Sequence, residues 1–176
     1  MKKIYLVRHC TAEGQEAGAA LTEVGHQQAV DLAAFFESRK IDRVISSPFK
    51  RAIQTIEPLT TRLNIEIETS SKLAERVLST QNMPDWFERL RVTYEDFELK
   101  YEGGESSREA TNRIVEVVDG VLKADAENTI IVTHGGLLSL LLHHYDNNFG
   151  FEQWAKLTNP DVYLLTSGKL ERIWET

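Results

Sequence analysis

Two kinds of hydrophobic pattern alternate along the chain. Ile4-Tyr5-Leu6-Val7 and Thr129-Ile130-Ile131-Val132-Thr133 are continuous runs rich in β-branched residues, as in strands buried on both faces. Ala29, Leu32, Ala33 and Phe36 instead recur at i, i+3, i+4 and i+7. That spacing predicts a helix from Thr22 to about Lys40, with Thr22 as its N-cap. Ala52, Ile56, Leu59 and Leu63 share another helical face; Pro48 is suited to open that helix, and Pro58 predicts a kink or break within it. From Ser106 or Ser107, a stripe at Ala110, Ile114, Val117, Val118, Val121 and Leu122 predicts a further helix, and the Leu-rich segment 137–142 reads as a buried one. Val44-Ile45 is a short strand. Ile65 and Ile67 alternate with Glu66 and Glu68, predicting a strand near a sheet edge. Tyr163-Leu164-Leu165 and Leu170 to Trp174 read as closing strands. After Pro84, Trp86, Phe87, Leu90, Tyr94, Phe97 and Tyr101 stand among many charges and predict a helix with an aromatic face, closed by Gly103-Gly104.

Strands alternating with helices imply an α/β fold: one three-layer α/β/α domain over residues 1–176 with a mostly parallel central sheet. In such sheets ligands bind beyond the carboxyl ends of the strands. The informative residues are therefore Arg8-His9, Ser46-Ser47-Pro48 and His134-Gly135-Gly136. Arg8 and His9 are neighbours, so both reach one pocket only if the strand ends between them.

Composition narrows the chemistry. The chain carries 20 Lys and Arg against 27 Asp and Glu, a net charge of −7. That argues against a nucleic-acid binder, which needs clustered cations. One cysteine makes no internal disulfide and fits a reducing cytoplasm. The apolar runs are too short for a signal peptide or a membrane span. His143-His144 diverge by about 100° on a helix, poor metal geometry, and no other Cys or His completes a site, so no metal is expected; the chain is read as cofactor-independent.

His9 and Cys10 are adjacent candidate nucleophiles. A cysteine phosphatase loop reads His-Cys-x5-Arg, but here the arginine position holds Glu16, whose charge repels the anion the loop must hold. The histidine has a fuller context. YLVRHCTAEG (Tyr5 to Gly14), LTEVGHQQA (Leu21 to Ala29), SSPFKRAIQT (Ser46 to Thr55), LAER (Leu73 to Arg76), GGES (Gly103 to Ser106) and VTHGG (Val132 to Gly136) together resemble, in order, the motifs of the histidine phosphatase superfamily. That family is also called phosphoglycerate-mutase-like.

The resemblance implies the phosphoglycerate-mutase-like fold and a metal-independent phosphomonoesterase acting on a small phosphorylated metabolite. It implies His9 as the nucleophile that carries the phosphoryl group, with Arg8, Arg51 and His134 around the phosphate. Glu75 is then the proton donor, with Glu105 and Glu13 as fallback carboxylates. Gln15 and Gly135 join Arg8, Arg51 and His134 as substrate contacts. Residues 76–104 become a helical insertion covering the substrate. Cys10 replaces the family's usual glycine, where its side chain is placed to crowd the pocket and to sense oxidants. Ala12 and Gln15 replace substrate-contacting types, and Val77-Leu78-Ser79 lacks the usual glycine-containing continuation. Two alternatives stand beside the phosphatase: a bisphosphoglycerate-dependent mutase of the same family, and an inactive phosphate-ester-binding module. Monomer and homodimer are both open.

Overall fold

The computed structural model describes residues 1–175. Its strands are β1 (Lys3–Arg8), β2 (Arg43–Ser46), β3 (Ile67–Thr69), β4 (Asn128–Thr133), β5 (Asp161–Thr166) and β6 (Lys169–Arg172). Its helices are α1 (Glu23–Phe36), α2 (Lys50–Leu63), α3 (Trp86–Val92), α4 (Ser107–Lys123), α5 (Gly135–Tyr145) and α6 (Phe151–Ala155). One sheet runs in the order β3-β2-β4-β1-β5-β6. The four strands from β3 to β1 are parallel, and β5 and β6 complete it antiparallel.

The continuous apolar strands are read twice, once from each face. Ile4, Leu6 and Ile131 pack with Ile114 and Val118 of α4 and Leu137 and Leu141 of α5. Tyr5, Val7, Ile130 and Val132 point the other way, onto Leu32 and Phe36 of α1 and Ile56 and Leu59 of α2. Period-two alternation thus splits one run between two cores, giving the three layers.

Helix starts follow local chemistry. Thr22 caps α1, its Oγ1 accepting from Gly25 N at 3.0 Å. Ser106 and Glu109 form a reciprocal capping box at α4, with bonds of 3.1 and 3.0 Å.

Three expectations change, and one short helix is new. Pro58 lies inside α2, which runs unbroken from Lys50 to Leu63; burial of Ala52, Ile56 and Leu59 holds the helix across the lost hydrogen bond. The aromatic helix ends at Val92. There the Thr93 hydroxyl donates to Leu90 O at 2.6 Å, and Glu98 N donates to Asp96 Oδ1 at 3.0 Å. Such side-chain bonds compete with helix continuation, and Tyr94 and Phe97 pack on the core from turns instead. The last strand stops at Arg172, and Trp174 packs edge-on against Phe35 at 5.2 Å. The five-residue α6 was not foreseen, because so short a segment carries no periodicity.

Ile131→Ala, in the centre of the sheet, is expected to cost about 2–5 kcal/mol. Ser106→Ala should cost about 1 kcal/mol. Urea unfolding of both variants beside the parent measures the difference.

Candidate active site

The sheet order places β2, β4 and β1 side by side, so their carboxyl ends form one rim. His9 is the first residue past β1, its N–H donating to Thr133 O at 3.1 Å. Ser47 follows β2, its N–H donating to Val132 O at 2.9 Å. His134 follows β4 and caps α5. The strand does end at Arg8, so Arg8 and His9 serve the same rim.

The loop after His9 is held by residues from the other motifs. Thr55 Oγ1 accepts from Cys10 N at 2.9 Å, Gln28 Oε1 from Thr11 N at 2.9 Å, and Gln54 Oε1 from Leu21 N at 2.8 Å. Asn159 Nδ2 donates to His9 O at 2.9 Å.

These contacts fix the imidazole. His9 Nδ1 lies 2.7 Å from Cys10 O. A carbonyl oxygen only accepts, so Nδ1 carries the proton. That leaves a lone pair on Nε2, which accepts from Arg51 Nε at 3.2 Å. The His134 ring sits 5.1 Å away, its Nε2 2.8 Å from Ser47 Oγ, while its buried Nδ1 meets no protein partner. Burial, joined by the nearby cations, pushes both rings down to about 3. Both imidazoles are therefore neutral near pH 7.

Arg51, in the first turn of α2, is almost wholly buried, with 1% of its surface exposed. Its Nη1 donates to Glu16 O at 2.8 Å. Arg8 donates from Nη1 to Leu157 O at 2.9 Å, and its buried Nε has no partner. The bonds of both guanidiniums go to carbonyls and a ring nitrogen rather than to a carboxylate. Burial pulls both somewhat below the usual arginine range, opposed by Glu75 nearby. Two cations thus face two neutral rings with no carboxylate hydrogen-bonded to either, an arrangement suited to a dianion.

Glu75 lies against the start of α5. Its Oε1 accepts from Arg76 N and Leu137 N, each at 2.8 Å, and its Oε2 from Gly136 N at 2.9 Å. The two glycines make this approach possible. A Cβ on Gly135 would stand 2.8 Å from Arg8 Nε, and one on Gly136 2.8 Å from Glu75 Oε1. Arg8, Gln15, Glu75 and Gly136 share the wall of one cavity of about 450 Å³.

Sequence reasoning missed the clamp behind Glu75. Arg113 of α4 donates to Lys72 O, Ala74 O and Glu75 O at 2.7, 2.8 and 3.3 Å, and pairs with Glu105 at 2.8 Å. Arg76 is buried and donates to Ser107 Oγ at 2.9 Å and Glu105 O at 3.1 Å. An arginine beside an apolar helical stripe, Arg113 before Ile114, is the signal that sequence offers for such a role. Glu105 is committed to this clamp, and Glu13 is exposed. Cys10 is fully buried against Leu21 and Ala29, and burial pushes its thiol up to about 12. It neither crowds the cavity nor meets solvent oxidants. The reason is direction: its side chain turns into the protein under α1.

Residues 4–169 match the model of the histidine phosphatase superfamily (branch 1). The chain belongs to the histidine phosphatase superfamily. Among curated proteins it is similar to phosphoserine phosphatase 1 of Hydrogenobacter thermophilus, 27% identical over 147 residues, which span 75% of this chain and 70% of that protein. It is also similar to the adenosylcobalamin/alpha-ribazole phosphatase of Salmonella typhi, 29% identical over 161 residues, 80% of this chain and 77% of that one. Its fold matches that of the mycobacterial glucosyl-3-phosphoglycerate phosphatase in complex with inorganic phosphate. The TM-score is 0.81 at 22% identity, covering 100% of this chain and 98% of that one. Among the described residues, no helix is long and apolar enough to cross a membrane.

Ring nitrogen shifts of His9 and His134 are expected to report neutral imidazoles down to pH 5, and a ring titrating near 6.5 would contradict this arrangement. Each ring takes up protons more readily unfolded than folded. Stability is therefore full above about pH 6.5 and falls as pH drops toward 3, by up to about 1.4 kcal/mol per unit per ring. Urea unfolding at several pH values measures that slope.

Proposed function

We propose that the protein hydrolyses phosphomonoesters of small molecules through a phosphohistidine on His9, without a metal. One observation carries the reading: His9 Nε2 is an unprotonated nitrogen held against the buried Arg51 guanidinium. A phosphomonoester brings roughly −1.5 to −2 charges at neutral pH. Arg8 and Arg51 match that charge, and His134 and the Gly135 N–H at the start of α5 add neutral donors.

The His9 Nε2 lone pair attacks phosphorus, and the bond to the alcohol oxygen breaks. Glu75, in its protonated form, gives the leaving oxygen its proton. Water then attacks the phosphohistidine, Glu75 takes the water's proton, and His9 returns with inorganic phosphate released. Charge stabilisation by the arginines does the work that a metal does in other phosphatases. Two guanidiniums at the pocket also repel a cation. Residues 76–104 cover the substrate in this reading, with the whole chain acting as one domain, and Gln15 adds an amide at the mouth. A cytoplasmic setting fits a lone, buried, unbridged thiol.

Hydrolysis is favoured over phosphoryl transfer between hydroxyls. Between Glu75 and Gly104 the chain forms the short α3 and turns, with no large helical cover to hold a second substrate while water is kept out. Most of its similar curated relatives carry phosphatase names, while two are named "Probable phosphoglycerate mutase".

With p-nitrophenyl phosphate in the presence of EDTA, the parent is expected to release phosphate at an unchanged rate. His9→Ala should lose roughly 10³-fold or more, and Cys10→Ala should stay within about threefold. Acid-labile phosphate on a His9 peptide should be trapped by rapid quench. Retained turnover in His9→Ala, with loss in Cys10→Ala, would reverse the nucleophile assignment. A mutase would instead interconvert phosphoglycerates with little phosphate released.

A further inference from the structure

The cavity beside Glu75 has two unlike sides. Arg8, Glu75 and Gly136 make the phosphate side; Leu78, Trp86, Leu90 and Trp154 make the other. Two of the chain's three tryptophans therefore stand at one opening. Trp86 is 50% exposed, as is its neighbour Phe87, an unfavourable placement for large apolar rings in water.

The rings are nonetheless held in place. Trp86 meets Phe87 edge-on at 5.5 Å, and Phe87 meets Phe151 at 5.1 Å. Phe151 stacks on Trp154 at 5.3 Å with 29° between the planes. This chain of rings ties α3 to α6, so both tryptophans are presented on a rigid support. A cavity of about 450 Å³ has room for a one- or two-ring group beside a phosphate.

A second anionic group finds little there. The Arg76 guanidinium, the remaining cation of the wall, is spent on Ser107 Oγ, Glu105 O and Thr93 Oγ1. Its Nε and one Nη2 hydrogen stay uncommitted, both on a buried side chain.

We infer that the substrates of this enzyme carry a flat aromatic or heteroaromatic group on the alcohol side of the phosphoester, lying against Trp86 and Trp154. The inference rests on the phosphatase reading above and names the substrate class for that same site. The phosphate fixes one end by charge, and the ring fixes the other by stacking and burial, typically worth about tenfold or more in affinity per ring.

The test compares 2-naphthylmethyl phosphate, ethyl phosphate and phosphoserine. The first two are alkyl esters, so their leaving oxygens are chemically alike. The parent is expected to favour the naphthylmethyl ester over the ethyl ester by at least tenfold in kcat/KM, mostly through KM. Trp86→Ala should lower that ratio about tenfold, and Trp86→Phe should restore most of it. Trp86 is half-exposed, so its loss leaves the core intact; circular dichroism checks this. Equal turnover of the two alkyl esters, a preference for phosphoserine, or an unchanged ratio in Trp86→Ala and Trp154→Leu would each overturn the inference while leaving the phosphatase reading in place. No phosphate release from any ester, p-nitrophenyl phosphate included, would remove that reading and this inference with it.

Discussion

The parallel pairing of β4 with β1 on one side and β2 on the other sets three side chains at once. Register places Arg8 opposite Thr133 and Ser46 opposite Val132, so His9, His134 and Ser47 emerge from one rim. A slip of one residue in either pairing would turn a histidine away from the pocket. The two hydrophobic cores guard against that slip, because the same slip would exchange the faces of Ile130, Ile131 and Val132. Stability and chemistry thus rest on a single register.

Against this ordered frame, the site stores a cost. Arg51 is buried without a carboxylate, and Arg8 keeps a buried Nε with no acceptor. Uncompensated buried charge is unfavourable. In the proposed reaction an arriving phosphate relieves it, so part of the folding energy becomes affinity for a dianion. The neighbouring imidazoles stay neutral chiefly through burial, to which the cations add, so His9 Nε2 keeps a lone pair, which accepts from Arg51. Arg113 serves the opposite purpose: it spends its donors on carbonyls and on Glu105, and so makes the segment carrying Glu75 stiff.

Much of the frame was legible in the chain. Both central strands, the helices α1, α2, α4 and α5, and the rim they create follow from hydrophobic period and from caps such as Thr22 and Ser106. Arg8, His9, Arg51, His134 and Glu75 could be named because motifs tie them to strand ends and a helix start. What stayed hidden depends on contacts between distant segments. The aromatic residues after Pro84 have helical spacing, yet Thr93 and Asp96 end the helix through hydroxyl and carboxylate bonds to the backbone. Arg113 and Asn159 act on carbonyl groups far away in sequence, and a carbonyl is offered by every residue type. Nothing in a local pattern marks such a partner.

That anonymity of the backbone has a consequence at position 10. The proton on His9 is placed by the carbonyl of Cys10, and the amide of Cys10 is anchored by Thr55. The thiol takes part in neither bond. Residue 10 is therefore chosen by the small apolar space under α1, while the reactive ring listens to its main chain alone. Two selections run through one residue without meeting, which is how a loop built for a glycine can accept a sulfur-bearing side chain and leave the tautomer untouched.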